Sequence, residues 1–304
     1  MNPVIEVNQL SKKFKHNYGL YPTDFKLYEG DICAIIGKNG AGKSTLFKLL
    51  ANQIHPTGGC IKLFNIDGNK VNSQGRKRIG FMIETPDFIP NFNAYQNLHY
   101  FSIQRGVTNK EKIENILAQV GLKNVTKKIR QYSLGMKQRL GIALALLTGP
   151  DLLVLDEPIN GLDAEGIKEF RDLILKLNKE QGITILISSH ILNELQQLAY
   201  RFVFIEDGKI IEDISKEQLL NKGKQQLIVK VDSPDDAVRI LEQNIDNIKY
   251  KVLHNKTIAI DPSRVESSYI NKLLLNNDVA VEEFKMETTN LEDYFLSKGG
   301  SDND

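Results

Sequence analysis

The stretch "DICAIIGKNGAGKSTLFKLL", residues 31–50, decides the fold. "ICAII" is a continuous apolar run, short enough for a buried strand, while Leu46, Leu49 and Leu50 share one helical face. Between strand and helix lies "GKNGAGKST", residues 37–45. Gly40 and Gly42 allow the backbone to curl so that N–H groups converge on an anion. The N-terminus of the following helix adds positive potential at the same place. Lys43 is spaced to reach β- and γ-phosphates, and the Ser44 hydroxyl to ligate Mg²⁺. Gly37, Asn39, Gly40, Ala41, Gly42, Lys43, Ser44 and Thr45 therefore read as a loop that holds a nucleoside triphosphate. A glycine-rich turn that only caps a helix is the plainer alternative, and the rest of the chain bears on the choice.

Working outward, "VIEVNQL" and "TDFKLYEG" read as strands, with turns expected at Tyr18-Gly19 and Glu29-Gly30. "CIKLFNID" reads as another strand, closed by Asp67-Gly68. Residues 87–150 read as mostly helical; "NKEKIENILAQVGL" sets Ile113, Ile116, Leu117 and Val120 on one side. "DLLVLDE", "GITILISSH" and "YRFVFIEDGK" alternate little, as parallel strands buried on both faces do. The helices "AEGIKEFRDLILKLNKEQ" and "HILNELQQLA" between them complete βαβ punctuation. Composition shifts near residues 215–226, after which a β-α-β-β-α-β order points to a small ferredoxin-like domain. A short helix, "NLEDYFLSK", and a frayed tail, "GGSDND", are expected at the end.

Carboxylates stand at strand ends. Asp156 leaves the carboxyl end of "LLVL", where ligands bind in open α/β sheets, and can hold Mg²⁺ through water. Glu157 follows, placed to polarise an attacking water as general base. His190 leaves the end of "ILISSH" and is positioned for the γ-phosphate and that water. Asp163, in "NGLD", is open to two roles, capping the helix from Ala164 or supporting the catalytic groups. Glu84 closes the run "FMIE" before Thr85-Pro86; alone it would be a solvated strand end. "YSLGMKQRLGIALALL", residues 132–147, places Ser133 where an N-cap stands, followed by Gly135, on a helix read as amphipathic. That is a second anion site. One nucleotide does not need two from one subunit, so Ser133 and Gly135 are read as facing a γ-phosphate bound by another copy.

Together these motifs resemble those of ABC transporter nucleotide-binding subunits over about residues 3–217. "GKNGAGKST" is similar to their Walker A loop, "LLVLDEP" to Walker B with the catalytic Glu, "NGLD" to the D-loop and "SSH" to the switch histidine. "YSLGMKQR" stands where the signature stands: Leu134 and Met136-Lys137 depart from that consensus, while Ser133, Gly135, Gln138 and Arg139 keep it. The resemblance implies an adenine-stacking aromatic at Phe14, with Tyr18 as rival. It implies that Glu84, where the family usually carries Gln, faces the metal and the water. "IETP", the variant signature and the closing "TTNLEDYFL" resemble the bacitracin-resistance and lantibiotic-immunity branch of exporters. Phe88, Phe92 and Tyr95 are expected either on a surface facing the membrane partner or packed inside the helical subdomain.

The implied fold is α/β: an ABC-type P-loop ATPase with a RecA-like core, antiparallel β and helical subdomains, and a ferredoxin-like C-terminal domain. The expected boundaries are 1–217 for the ATPase domain, with the helical subdomain at about 87–150, 218–226 for a linker and 227–304 for the accessory domain. The expected activity is ATP hydrolysis driving export of peptides or peptide antibiotics, with ATP and Mg²⁺ bound. The expected partners are a second ATPase subunit and integral membrane permeases, at the cytoplasmic face of the membrane. A sensor or switch, or an ATPase not coupled to transport, are the alternatives. Net charge is +1 over 304 residues, which gives no footprint for nucleic acid. Cys33 and Cys60 form no motif and fit a reduced protein. The apolar run "LGIALALLTGP" is too short to span a bilayer.

Overall fold

The computed structural model describes residues 2–15, 17–66, 72–83, 87–107, 109–190, 192–222 and 225–288. Glu84, the Asp67-Gly68 turn, the helix expected at "NLEDYFLSK" and the final tail lie outside the described residues. The chain divides into two compact units, Met1–Lys216 and Glu217–Asp304.

The first unit begins with β1 (Pro3–Phe14) and β2 (Asn17–Tyr28), then β3 (Ile32–Ile36), α1 (Lys43–Leu50), β4 (Gly58–Leu63), α2 (Asn72–Lys77) and β5 (Ile79–Met82). A helical stretch follows: α3 (Ala94–Gln104), α4 (Lys110–Gln119), a 3₁₀ turn at Ile129–Gln131 and α5 (Leu134–Leu146). The remainder alternates β6 (Leu152–Leu155), α6 (Ala164–Gln181), β7 (Thr184–Ser189), α7 (Leu192–Leu198), β8 (Arg201–Glu206) and β9 (Lys209–Ser215).

These strands make two sheets. β2-β1-β4 is antiparallel. The second sheet runs β5-β6-β7-β3-β8-β9, parallel except for the β8–β9 hairpin. β3, β6 and β7 are buried at every residue, so their unbroken apolar runs reflect cover on both faces. One hydrophobic cluster joins Leu10 and Leu20 of the antiparallel sheet to Leu46 and Leu49 of α1 and to Val154 and Leu186 of the parallel strands. The loop between β3 and α1 is thus anchored from both sheets.

Two local readings change. Tyr18-Gly19 is not a turn: it lies within β2, because β1 runs to Phe14 and pairs Lys13 with Tyr18. The helix α5 is not amphipathic throughout: every residue from Leu140 to Leu146 is buried, since it packs against β5, α3 and α4 at once.

The second unit contains β10 (Gln225–Val231), α9 (Pro234–Asn244), β11 (Tyr250–Val252), β12 (Thr257–Ile260), α10 (Ser267–Asn276) and β13 (Val281–Thr288); α8 (Lys216–Lys222) leads into it. Its sheet order is β11-β12-β10-β13, all antiparallel, which is the ferredoxin-like arrangement. Leu227, Val229, Ile258 and Ile260 bury one face of the sheet with Ile240, Leu241, Ile270 and Leu274 of the helices, giving this unit a core of its own.

Candidate functional site

The glycine loop leaves β3 and turns into α1. Gly40 has φ 85° and Gly42 φ 108°, conformations that side chains rarely tolerate. Gly42 also closes against the antiparallel sheet: a Cβ there would sit 2.7 Å from the Gly19 carbonyl oxygen. The Ala41 carbonyl accepts from the Gly208 N–H at 2.9 Å, and the Gly208 carbonyl from Tyr21 N–H at 2.7 Å. Loop, β2 and the β8–β9 turn are therefore tied together. Gly37 and Ala41 are packed against this frame, Asn39 is exposed, and Ser44 and Thr45 open the first turn of α1.

Lys43 is buried. Its ammonium donates to the Gly37 carbonyl at 2.7 Å and the Lys38 carbonyl at 3.2 Å, and it forms an ion pair with Glu157 Oε1 at 3.1 Å. Glu157 Oε2 lies 2.7 Å from His190 Nδ1 and accepts from the His190 N–H at 3.3 Å. A carboxylate only accepts, so the Nδ1 proton lies between the two groups. The three residues come from different places in the chain. The parallel register brings them together by ending β6 and β7 side by side, Leu155 opposite Ile187. Glu157 has φ 48°, uncommon for a residue with a Cβ.

Asp156 follows β6, its N–H donating to the Met82 carbonyl at 2.8 Å. Its Oδ1 accepts from the Ser188 hydroxyl at 2.6 Å, and the same hydroxyl accepts from the Glu157 N–H at 2.9 Å. Ser188 was not among the residues singled out from sequence; the doubled serine before His190 was the available signal. Ser44 and Asp156 offer a hydroxyl and a carboxylate. No group of three or more His, Cys, Asp or Glu able to hold a metal occurs among the described residues. Such a sparse set of hard oxygens fits Mg²⁺, an ion that keeps waters and takes phosphate oxygens for the rest of its shell.

Ser133 caps α5, its hydroxyl accepting from the Met136 N–H at 3.2 Å. Asp163 caps α6, its Oδ1 accepting from the Gly166 N–H at 2.8 Å. Ser133, Gly135 and Asp163 line one cavity of about 400 Å³, separate from the Lys43 cluster. Gln138 does not line it; it is buried, and its Oε1 has no partner.

Phe14 and Tyr18 are both exposed. The Phe14 ring crosses Gly19 so closely that a Cβ there would lie 2.6 Å from it and 3.2 Å from the Thr45 hydroxyl. Tyr18 instead stacks on Tyr21, ring centres 4.4 Å apart, which occupies one of its faces. Phe88, Phe92 and Tyr95 are half-buried, Phe88 against Phe101 and Tyr95 against His99. The large apolar side chains that α3 exposes are Tyr100 and Ile103.

The chain is similar to known proteins along most of its length. The ABC transporter family profile matches residues 20–160. The chain is 39% identical to the bacitracin transport ATP-binding protein BcrA of Bacillus licheniformis, over 97% of each chain. It is 38% identical to the ABC transporter ATP-binding protein YcbN of Bacillus subtilis (strain 168), again over 97% of each. The lantibiotic transport ATP-binding protein SrtF of Streptococcus pyogenes is 42% identical, over 68% of this chain and 89% of that one. Among solved structures, a dimeric ATP-binding cassette in a post-hydrolysis state, bound to ADP and Pi, aligns with a TM-score of 0.62 and 25% identity, over 70% of this chain and 98% of that one. A cassette from the Clostridium perfringens cbiONQ transporter shares the fold, with a TM-score of 0.65 at 24% identity over 81% of this chain and 96% of that one. The phosphate loop, the carboxylates at the ends of parallel strands and these relatives agree: the chain belongs to the ATP-binding subunits of ABC transporters and is an ATPase.

Proposed function

We propose that the chain powers export of a peptide antibiotic, working as a pair of identical copies beneath integral membrane permeases. The observation that carries the catalytic part is the convergence of Lys43, Glu157 and His190 within hydrogen-bond distance. The names of the bacitracin and lantibiotic relatives support the cargo class. Attachment at the cytoplasmic face runs through the permease; among the described residues no helix is long and apolar enough to cross a membrane.

Phosphoryl transfer to water asks a protein mainly for positioning and charge. The loop from Gly37 to Thr45 receives the phosphates on its N–H groups, and Phe14 stacks on adenine. The γ-phosphate replaces Glu157 as the anionic partner of Lys43. That exchange frees the Glu157 carboxylate, still held by His190, to take a proton from the attacking water. His190 keeps the carboxylate in place and has its second ring nitrogen left for the γ-phosphate. Ser44 and Asp156, with Glu84, would hold Mg²⁺, which neutralises charge growing on the phosphate oxygens. Ser133 and Gly135, beside Asp163, close on the γ-phosphate of the second copy through the α5 N-terminus; Gln138 supports that helix from within.

The test is to purify the chain with its permease in lipid vesicles and measure Mg-ATP hydrolysis with and without a bacitracin-type peptide. Stimulation by the peptide is expected. Hydrolysis that ignores all such peptides would remove the cargo assignment, and failure to bind Mg-ATP would remove the whole proposal.

A further inference from the structure

Ser188 is fully buried at the end of β7, with no exposure to solvent. Its hydroxyl makes two bonds of opposite sense. It donates to Asp156 Oδ1 at 2.6 Å and accepts from the Glu157 N–H at 2.9 Å. The bonds run from β7 to the two residues that follow β6, just beyond the last register pair of the two strands, Leu155 with Ile187. Each has a separate consequence. The first restricts the Asp156 carboxylate to one orientation and leaves Oδ2 for other partners. The second holds the peptide of Glu157, whose φ of 48° is uncommon for a residue with a Cβ. Glu157 then presents Oε1 to Lys43 and Oε2 to His190.

We infer that Ser188 is a positioning residue for hydrolysis: one hydroxyl sets the orientation of the metal-facing carboxylate and of the general base together. The inference rests on the roles proposed above for Asp156 and Glu157. A hydroxyl can do this because it donates and accepts through a single atom. An alanine takes away a partner from a half-buried carboxylate and from the Glu157 N–H. Residues that orient a ligand in this way usually change metal affinity or activity by about 10- to 100-fold when lost.

Ser188→Thr and Ser188→Val provide the test, because the two side chains match in shape and differ only by the hydroxyl. Both are compared with the unaltered chain and with Glu157→Gln in the permease complex. Ser188→Val is expected to lower kcat by about 10- to 100-fold with the KM for ATP changed little, since the loop and Lys43 are untouched. It should also raise the Mg²⁺ concentration needed for half-maximal binding of a fluorescent ATP analogue, a readout independent of turnover. Hydrogen exchange at the Glu157 amide should accelerate. Ser188→Thr should stay within a few-fold of the unaltered chain on all three. Equal damage in both variants would mean that volume rather than the hydroxyl matters, and equal health would mean that neither does; either overturns the inference. If Glu157→Gln itself turns over normally, the assignment of the general base has failed instead.

Discussion

Glu157 takes part in two arrangements that exclude each other, and this makes it the most informative single residue. In the structure its Oε1 neutralises Lys43, and in turnover the same carboxylate has to serve water. Glu157→Gln keeps the shape and the His190 contact but removes the charge that competes with phosphate. The expected outcome is tighter nucleotide binding together with a loss of hydrolysis of about 10²- to 10⁴-fold, the usual contribution of a positioned base. Equilibrium binding and single-turnover hydrolysis on the same preparation check both halves. The cysteines allow a simpler residue-scale measurement. Burial pushes the Cys33 thiol far above its ordinary range, and Cys60 is exposed. The thiolate is the reactive form. One thiol per chain is therefore expected to react with a maleimide under native conditions and two after denaturation, counted by intact mass.

At the scale of elements, helix caps separate structural from functional roles. Asp163 caps α6, an 18-residue helix closed at its other end by Gly182 in the left-handed conformation. Ser133 caps α5 in the same way. Replacing either by alanine should cost about 1 kcal/mol of stability, seen as a drop in thermal midpoint of a few degrees. If Ser133 also meets the nucleotide of the second copy, Ser133→Ala should additionally weaken ATP-driven dimerisation by tenfold or more in analytical ultracentrifugation. Equal stability loss without that dimer defect would leave Ser133 as a cap alone. The exposed Tyr100 and Ile103 on α3 belong to the same scale. Phe88, Phe92 and Tyr95, for which the sequence left surface and interior both open, are half-buried, because aromatic content does not reveal which side of a segment turns inward.

At the scale of the whole molecule, each unit carries its own hydrophobic cluster. The bacitracin relative matches along 97% of its length, so both units recur together there. A chain ending at Lys216 should fold and bind Mg-ATP within a few-fold of the full chain, because the loop, Asp156, Glu157 and His190 all lie in the first unit. Calorimetric titration of the shortened chain checks this; loss of binding would mean that the second unit helps to build the site. What the sequence determined by itself was encoded locally: the glycine loop between strand and helix, the carboxylates after "LLVL", the apolar strand runs, and the span of α6 with Asp163 offered as its N-cap. Each depends on neighbours a few residues away, so periodicity and residue chemistry reveal it. The tertiary structure alone decided what depends on pairing at a distance. Strand order, the continuation of β2 through Tyr18-Gly19, and the capture of Lys43 by Glu157 are of this kind. So is the bond from Ser188 to a carboxylate 32 residues away. Nothing local in a buried serine says which strand will lie beside it; the register of the closed sheet supplies that neighbour.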